Sequence, residues 1–263
     1  QRIWGFPVIT PNDAQEEALG NLNLMREQGI NKAAVIAASG VGKTYLAAFD
    51  FQQSGSKRLL YIAHRENILR KSIDSFRNVL GDNMFGEVLG NGKTVSGDFK
   101  GVFAMIQTLS RESHLNGFEP DSFDYIVMDE FHHSEAATYR RVLNYFRPKF
   151  LLGLTATPER MDGRDVLAHC DYNVGYEVRI LEAVDREWLA PFQYFAIYDE
   201  TDYSQISWRG ARYDEAELDR ALINDTRTEI VARNLKNIFP HRERLKLLLS
   251  AVPSLTQNTR LNA

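Results

Sequence analysis

The residues best suited to chemistry begin at Ala37-Ala38-Ser39-Gly40-Val41-Gly42-Lys43-Thr44. Glycines at 40 and 42 let the backbone turn so that its N–H groups point inward, an arrangement that cradles phosphate oxygens. Ser39, Gly40, Val41, Gly42, Lys43 and Thr44 are therefore the candidate phosphate contacts. The Lys43 ammonium can reach the β and γ phosphates of ATP, and the Thr44 hydroxyl can ligate Mg²⁺. The alternative, a glycine-rich turn without a ligand, is disfavoured because an apolar strand-like run precedes the segment and a helical pattern follows it.

A second cluster, Asp129-Glu130-Phe131-His132-His133, follows the apolar run Tyr125-Ile126-Val127-Met128. A carboxylate at the tip of such a strand is where a phosphate-loop enzyme organises Mg²⁺. Asp129 would hold the metal through water, and Glu130 would orient or deprotonate the water that attacks the γ phosphate. The two histidines, with His169 and Cys170, invite a zinc site. Their spacing matches neither H-E-x-x-H nor a Cys/His finger, so zinc is not expected.

Both clusters need a scaffold. Short apolar segments recur at 33–37, 59–63, 102–106, 125–128 and 150–154. Between them, 44–53, 66–80 and 136–146 space apolar residues three and four apart, as in helices that pack on a sheet. This alternation predicts an α/β three-layer fold around a parallel sheet. The stretch 90–101 holds four glycines and predicts a surface loop and edge hairpin. Beyond Pro158 a polar loop precedes predicted helices at 179–187, 214–222 and 226–239, a strand at 193–198 and a short helix near 242–251. This is a mostly helical C-terminal extension.

The chain has 263 residues, 44% of them apolar and 25% charged, which excludes a disordered or low-complexity chain. The longest apolar run, Ala33 to Ala38, is far shorter than the roughly 20 residues of a membrane-spanning helix, so no membrane partner is expected. Its single cysteine cannot form an internal disulfide, and a cytoplasmic setting is expected. Because residue 1 is Gln, the chain reads as part of a longer protein. The formal charge of −4 argues against a broad basic coat, yet Lys57 to Arg77 carries six Lys/Arg and two acids, a local basic stripe.

Together with Leu154-Thr155-Ala156-Thr157-Pro158, the two clusters resemble the first RecA-like domain of superfamily 2 DExH helicases and translocases. Leu151 to Asp162, Ala190 to Tyr194 and Ile206 to Arg209 are similar to the bacterial type III restriction (Res) subunit-like group. The resemblance implies a catalytic set of Lys43, Asp129, Glu130 and His133, with ATP and Mg²⁺ as cofactors. It places Gln15 at the adenine edge, where an amide donates and accepts at once; Trp4 and Phe6, upstream of it, read better as core residues than as an adenine stack. It implies nucleic-acid contacts, to DNA in particular, from His64, Arg65, Gln107 and Thr108, and a coupling role for Thr155 and Thr157. The implied division is a RecA-like domain over 1–175 and a connector over 176–263, leading toward a second RecA-like domain. No Q-x-x-G-R-x-x-R-like motif is present to supply an arginine finger, worth roughly 10³ to 10⁵ in rate in related enzymes, so low ATP turnover is expected from the chain by itself. The competing possibility is a stand-alone regulatory phosphate-loop NTPase.

Overall fold

The computed structural model describes residues 9–90, 99–131, 137–157, 166–192, 202–209, 212–222 and 225–238. Helix α1 (Asp13–Glu27) leads into β1 (Lys32–Ala37), α2 (Lys43–Gln53), β2 (Leu59–Ala63) and α3 (Glu66–Leu80). There follow β3 (Glu87–Leu89), β4 (Gly101–Met105), the single turns α4 (Ile106–Leu109) and α5 (Glu112–Leu115), and β5 (Tyr125–Asp129). The layer closes with α6 (Ala137–Tyr145), β6 (Phe150–Thr155), β7 (Val174–Val178) and α7 (Ile180–Asp185). The seven strands form one sheet in the order β3-β4-β2-β5-β6-β1-β7, and every pairing is parallel.

All five strands expected from the sequence are present within one residue at each end. They read as unbroken apolar runs because both of their faces are buried. Ala33, Val35 and Ala37 of β1, with Leu59, Tyr61 and Ala63 of β2, face the core shared with α1, α2 and α3. Ala34, Leu60 and Ile62 face a second core, capped by Leu109, Leu115, Tyr139 and Val142.

The sheet has two strands beyond those five, β3 and β7, and α1 precedes it. β3 is three residues long, too short to show a period. β7 is interrupted by Gly175, where an added Cβ would sit 2.7 Å from a Leu22 methyl; glycine lets α1 press against the strand. α1 starts at a capping box in which Asn12 and Gln15 exchange hydrogen bonds. Most of the loop and edge hairpin expected over 90–101 lies outside the described residues; the strands that flank it, β3 and β4, pair parallel. The expected division after residue 175 falls inside β7, whereas the chain's own contacts divide it at Pro191/Phe192.

The second unit, from Phe192 on, contains the two-stranded antiparallel β8 (Trp208–Arg209) and β9 (Arg212–Tyr213), followed by α8 (Glu215–Leu222) and α9 (Asp225–Ile238). The last two match the helices expected there. The strand at 193–198 and the helix near 242–251 lie outside the described residues. Among the described residues no helix is long and apolar enough to cross a membrane.

Candidate functional site

Parallel strands end together, so the tips of β1, β2, β4, β5 and β6 line one edge of the sheet. Register decides which face each tip serves. Tyr125 and Val127 belong to the core beneath α2, and Asp129 continues that alternation, emerging on the face where α2 begins. The segment after β1 and the acidic tip of β5 are thereby brought to one place, with β6 between their strands.

Gly40 and Gly42 adopt φ of +96° and +95°, a region that L side chains rarely occupy. A Cβ at Gly42 would also lie 2.6 Å from the amide nitrogen of Gln15. Lys43 opens α2, and its ammonium donates to the carbonyls of Ala37 (2.7 Å) and Ala38 (3.4 Å). Burial lowers its pKa, and the negative charges of Asp129 and Glu130 oppose that shift. The loop thus combines a glycine-shaped backbone, a helix N-terminus and a partly desolvated cation, a donor set that fits the phosphates of a Mg²⁺-nucleotide. Gln15 is buried, with Oε1 accepting from Asn12 N–H (3.0 Å) and Nε2 donating to the Gly42 carbonyl (3.1 Å). One lone pair and one N–H remain on that amide for an adenine edge.

Asp129 is 8% exposed, and both of its oxygens are held. Tyr61 O–H donates to Oδ2 (2.8 Å) and Glu130 N–H donates to Oδ1 (3.0 Å). Burial raises the Asp129 pKa, the Tyr61 bond counters it, and the Glu130 charge adds to it. Glu130 sits at φ +54°, left-handed backbone that a non-glycine residue adopts at a cost on the order of 1 kcal/mol or more. Phe131 pins this turn. It is fully buried against the bare backbone of Gly153 in β6, where a Cβ would come within 2.7 Å of the ring. On α6, the buried Tyr139 hydroxyl has no hydrogen-bond partner among the described residues, and burial, then Asp129 and Glu130, push its pKa up to about 12.

Next along the edge, His64 and Arg65 follow β2, and Gln107 and Thr108 lie in α4 after β4. β2 and β4 are neighbours, so Gln107 Nε2 donates to the His64 carbonyl (3.3 Å). Arg65 and Gln107 are exposed, His64 is half-buried, and Thr108 is 2% exposed within α4. At the end of β6, Thr155 Oγ1 accepts from Thr157 N–H (3.1 Å), a local turn that leaves Thr157 exposed and Thr155 buried. His132, His133, Trp4 and Phe6 lie outside the described residues. Cys170 is buried, its thiol pushed up to about 12 by burial, which disfavours the thiolate a zinc ion would bind.

Residues 8–160, more than half of the chain, match the family described as type III restriction enzyme, res subunit. The chain belongs to that family. Residues 8–160 thus fall in the N-terminal RecA-like domain of the superfamily 2 helicase class, an ATP-dependent motor domain. The endonuclease subunit of the type I restriction enzyme EcoAI from Escherichia coli is 28% identical over 254 residues, 86% of this chain and 30% of that protein. IRC3 of Saccharomyces cerevisiae, named for an ATP-dependent helicase, is 24% identical over 267 residues, 96% of this chain and 37% of that protein. The chain therefore spans about a third of the length of these relatives. Its fold matches the type ISP restriction-modification enzyme LlaGI, solved with a DNA substrate mimic, at a TM-score of 0.53 and 18% identity over 68% of this chain and 21% of that one. The Hef helicase domain of Pyrococcus furiosus matches at a TM-score of 0.50 and 17% identity, over 60% of this chain and 37% of that one.

Two contributors to the site were given no role from the sequence. Tyr61 lies in an apolar strand pattern, and only the alternation that places it on the Asp129 face hints at its role. Gly153 reads as one more residue of a buried strand, though a glycine inside a strand is itself a sign of close approach.

Proposed function

We propose that the chain is the ATP-binding half of a DNA translocase or helicase. The observation that carries this is the convergence of Lys43 and Thr44 with Asp129 and Glu130 on one face of one sheet edge. The backbone N–H groups of 39–44 hold the phosphates, and the Lys43 ammonium exchanges its bonds to the Ala37 and Ala38 carbonyls for β and γ oxygens. Thr44 and Asp129 hold Mg²⁺, which when bound neutralises charge that develops on the phosphates. Glu130, held by its strained backbone beside Asp129, orients and deprotonates the attacking water; His133 is assigned to the same catalytic set. Gln15 ties the loop to α1 and presents its remaining amide valences to adenine.

His64, Arg65 and Gln107 form the strand-contact surface along the same edge, within the basic stretch 57–77, with Thr108 supporting it from the core. Donors of this kind suit a sugar-phosphate backbone. DNA is favoured by the relationship to a restriction-enzyme subunit. Thr155 and Thr157 link the phosphate site to that surface. The part beyond the sheet leads to a second RecA-like domain that supplies the arginine finger, so the chain alone turns ATP over slowly.

The test is the ATPase rate with and without single-stranded and duplex DNA, measured on this chain and on a longer protein carrying the second domain. Stimulation by DNA only in the longer protein is expected. Full-rate hydrolysis by the chain alone, indifferent to DNA, would replace this assignment with the regulatory NTPase.

A further inference from the structure

We propose that the Tyr61 hydroxyl positions the Asp129 carboxylate for Mg²⁺, which makes Tyr61 a positioning residue of the phosphate site. This rests on the function proposed above. Tyr61 is fully buried in the middle of β2, and its ring packs against two other aromatic rings. It stacks on Phe103 of β4 at 5.4 Å and meets Phe76 of α3 edge-on at 5.7 Å. Rings packed this way fix the direction of the C–O bond. A phenylalanine would fill the same space, so packing alone does not account for the hydroxyl.

The sheet aims that hydroxyl. Tyr61 pairs in register with Val127, and Asp129 lies two residues further along the same face. The phenol therefore reaches along the sheet to Asp129 Oδ2 at 2.8 Å, and the Thr44 and Ser72 hydroxyls stand beside it. With Glu130 N–H on Oδ1 at 3.0 Å, the carboxylate is held by one donor on each oxygen, so its plane cannot turn. Each oxygen keeps a second lone pair, directed to the waters that a metal carries. Partners of this kind, which touch a ligand rather than the metal, typically change metal affinity by 10–100-fold when removed.

Tyr61→Phe keeps the ring and deletes the donor. Binding of a fluorescent ATP analogue by the chain is titrated with and without Mg²⁺, alongside thermal unfolding. The expected result is an unchanged affinity without Mg²⁺ and a Mg²⁺ midpoint raised by about tenfold or more. Replacing Tyr61 with p-aminophenylalanine, which restores a donor at the ring tip, is expected to return the midpoint toward the wild-type value. Equal midpoints for the wild type and Y61F, or an amino variant as defective as Y61F, would overturn the inference and leave the hydroxyl as a satisfied core phenol. A loss of affinity that is the same with and without Mg²⁺ would overturn it too, since the defect would then lie in the fold. Wild-type protein without Mg²⁺-dependent nucleotide binding would instead overturn the proposed function.

Discussion

β5 carries a tyrosine at its start and an aspartate at its end, and each joins a buried cluster of one carboxylate, one cation and one phenol. At the start, Tyr125 donates to Asp50, whose other partner is Arg26 at 2.8 Å. At the end, Tyr61 donates to Asp129, but the cation, Lys43, donates to backbone carbonyls instead. The first cluster pairs its charges with one another, the Tyr125 and Arg26 bonds both falling on Asp50 Oδ2. Asp50 is fully buried, and Arg26 also lies over the Phe150 ring at 5.1 Å, so the cluster clamps α1, α2, β5 and β6 together. The second keeps cation and carboxylate apart, and burial opposes the charged form of both. Similar groups thus neutralise one another in the first cluster and, on the proposed function, are held for a third party in the second.

Substitutions should separate the two clusters. Lys43→Ala should abolish nucleotide binding with little loss of stability, because among the described residues the half-buried cation bonds backbone carbonyls and leaves no carboxylate ion pair to strand; calorimetric titration and a melting curve read both. A melting temperature that collapses with the binding would erase the distinction. Glu130→Gln should preserve nucleotide affinity and stop hydrolysis in the two-domain protein. Equal turnover by the wild type and E130Q would remove Glu130 from water activation.

Asp50→Asn should act in the opposite way, destabilising the fold by about 3–5 kcal/mol because it leaves Arg26 uncompensated, toward the lower figure since Arg26 keeps 17% exposure. Urea unfolding gives the loss, and nucleotide affinity per folded molecule should not change.

A smaller effect is expected at Asp124, just before β5. Burial pushes its carboxyl up, but the N–H groups of Lys57 and Arg58 and the ammonium of Lys149 outweigh it and hold the pKa below the ordinary range. A carboxyl lowered on folding contributes stability above its unfolded pKa and loses it as pH falls through the folded value. Asp124→Asn should therefore be less stable than the wild type at pH 7, and the gap should close on acidification. A gap independent of pH would mean that the charge contributes nothing.

Much of this molecule could be read from local pattern. The runs at 33–37, 59–63, 102–106, 125–128 and 150–154 marked their strands because burial on two faces demands continuous apolar side chains. The glycine, lysine and threonine of the phosphate loop were legible because a tight backbone turn tolerates so few alternatives at 40 and 42. β7 was not, since Gly175 answers to Leu22, a residue of another element. Gln15 likewise turned out to hold the loop as well as the helix start, through a carbonyl 27 positions away.

The sequence by itself marked five strands of the sheet and the helices α2, α3 and α6 between them, and singled out the 37–44 and 129–133 segments as candidates to hold phosphate and metal. Only the tertiary structure decided which residues meet: Tyr61 with Asp129 across 68 positions, Tyr125 with Asp50 across 75, and Phe131 with the backbone of Gly153. The physical reason is that period and propensity act through neighbours along the chain. Partners across a parallel sheet are chosen by strand order and register, which depend on how every crossover helix packs.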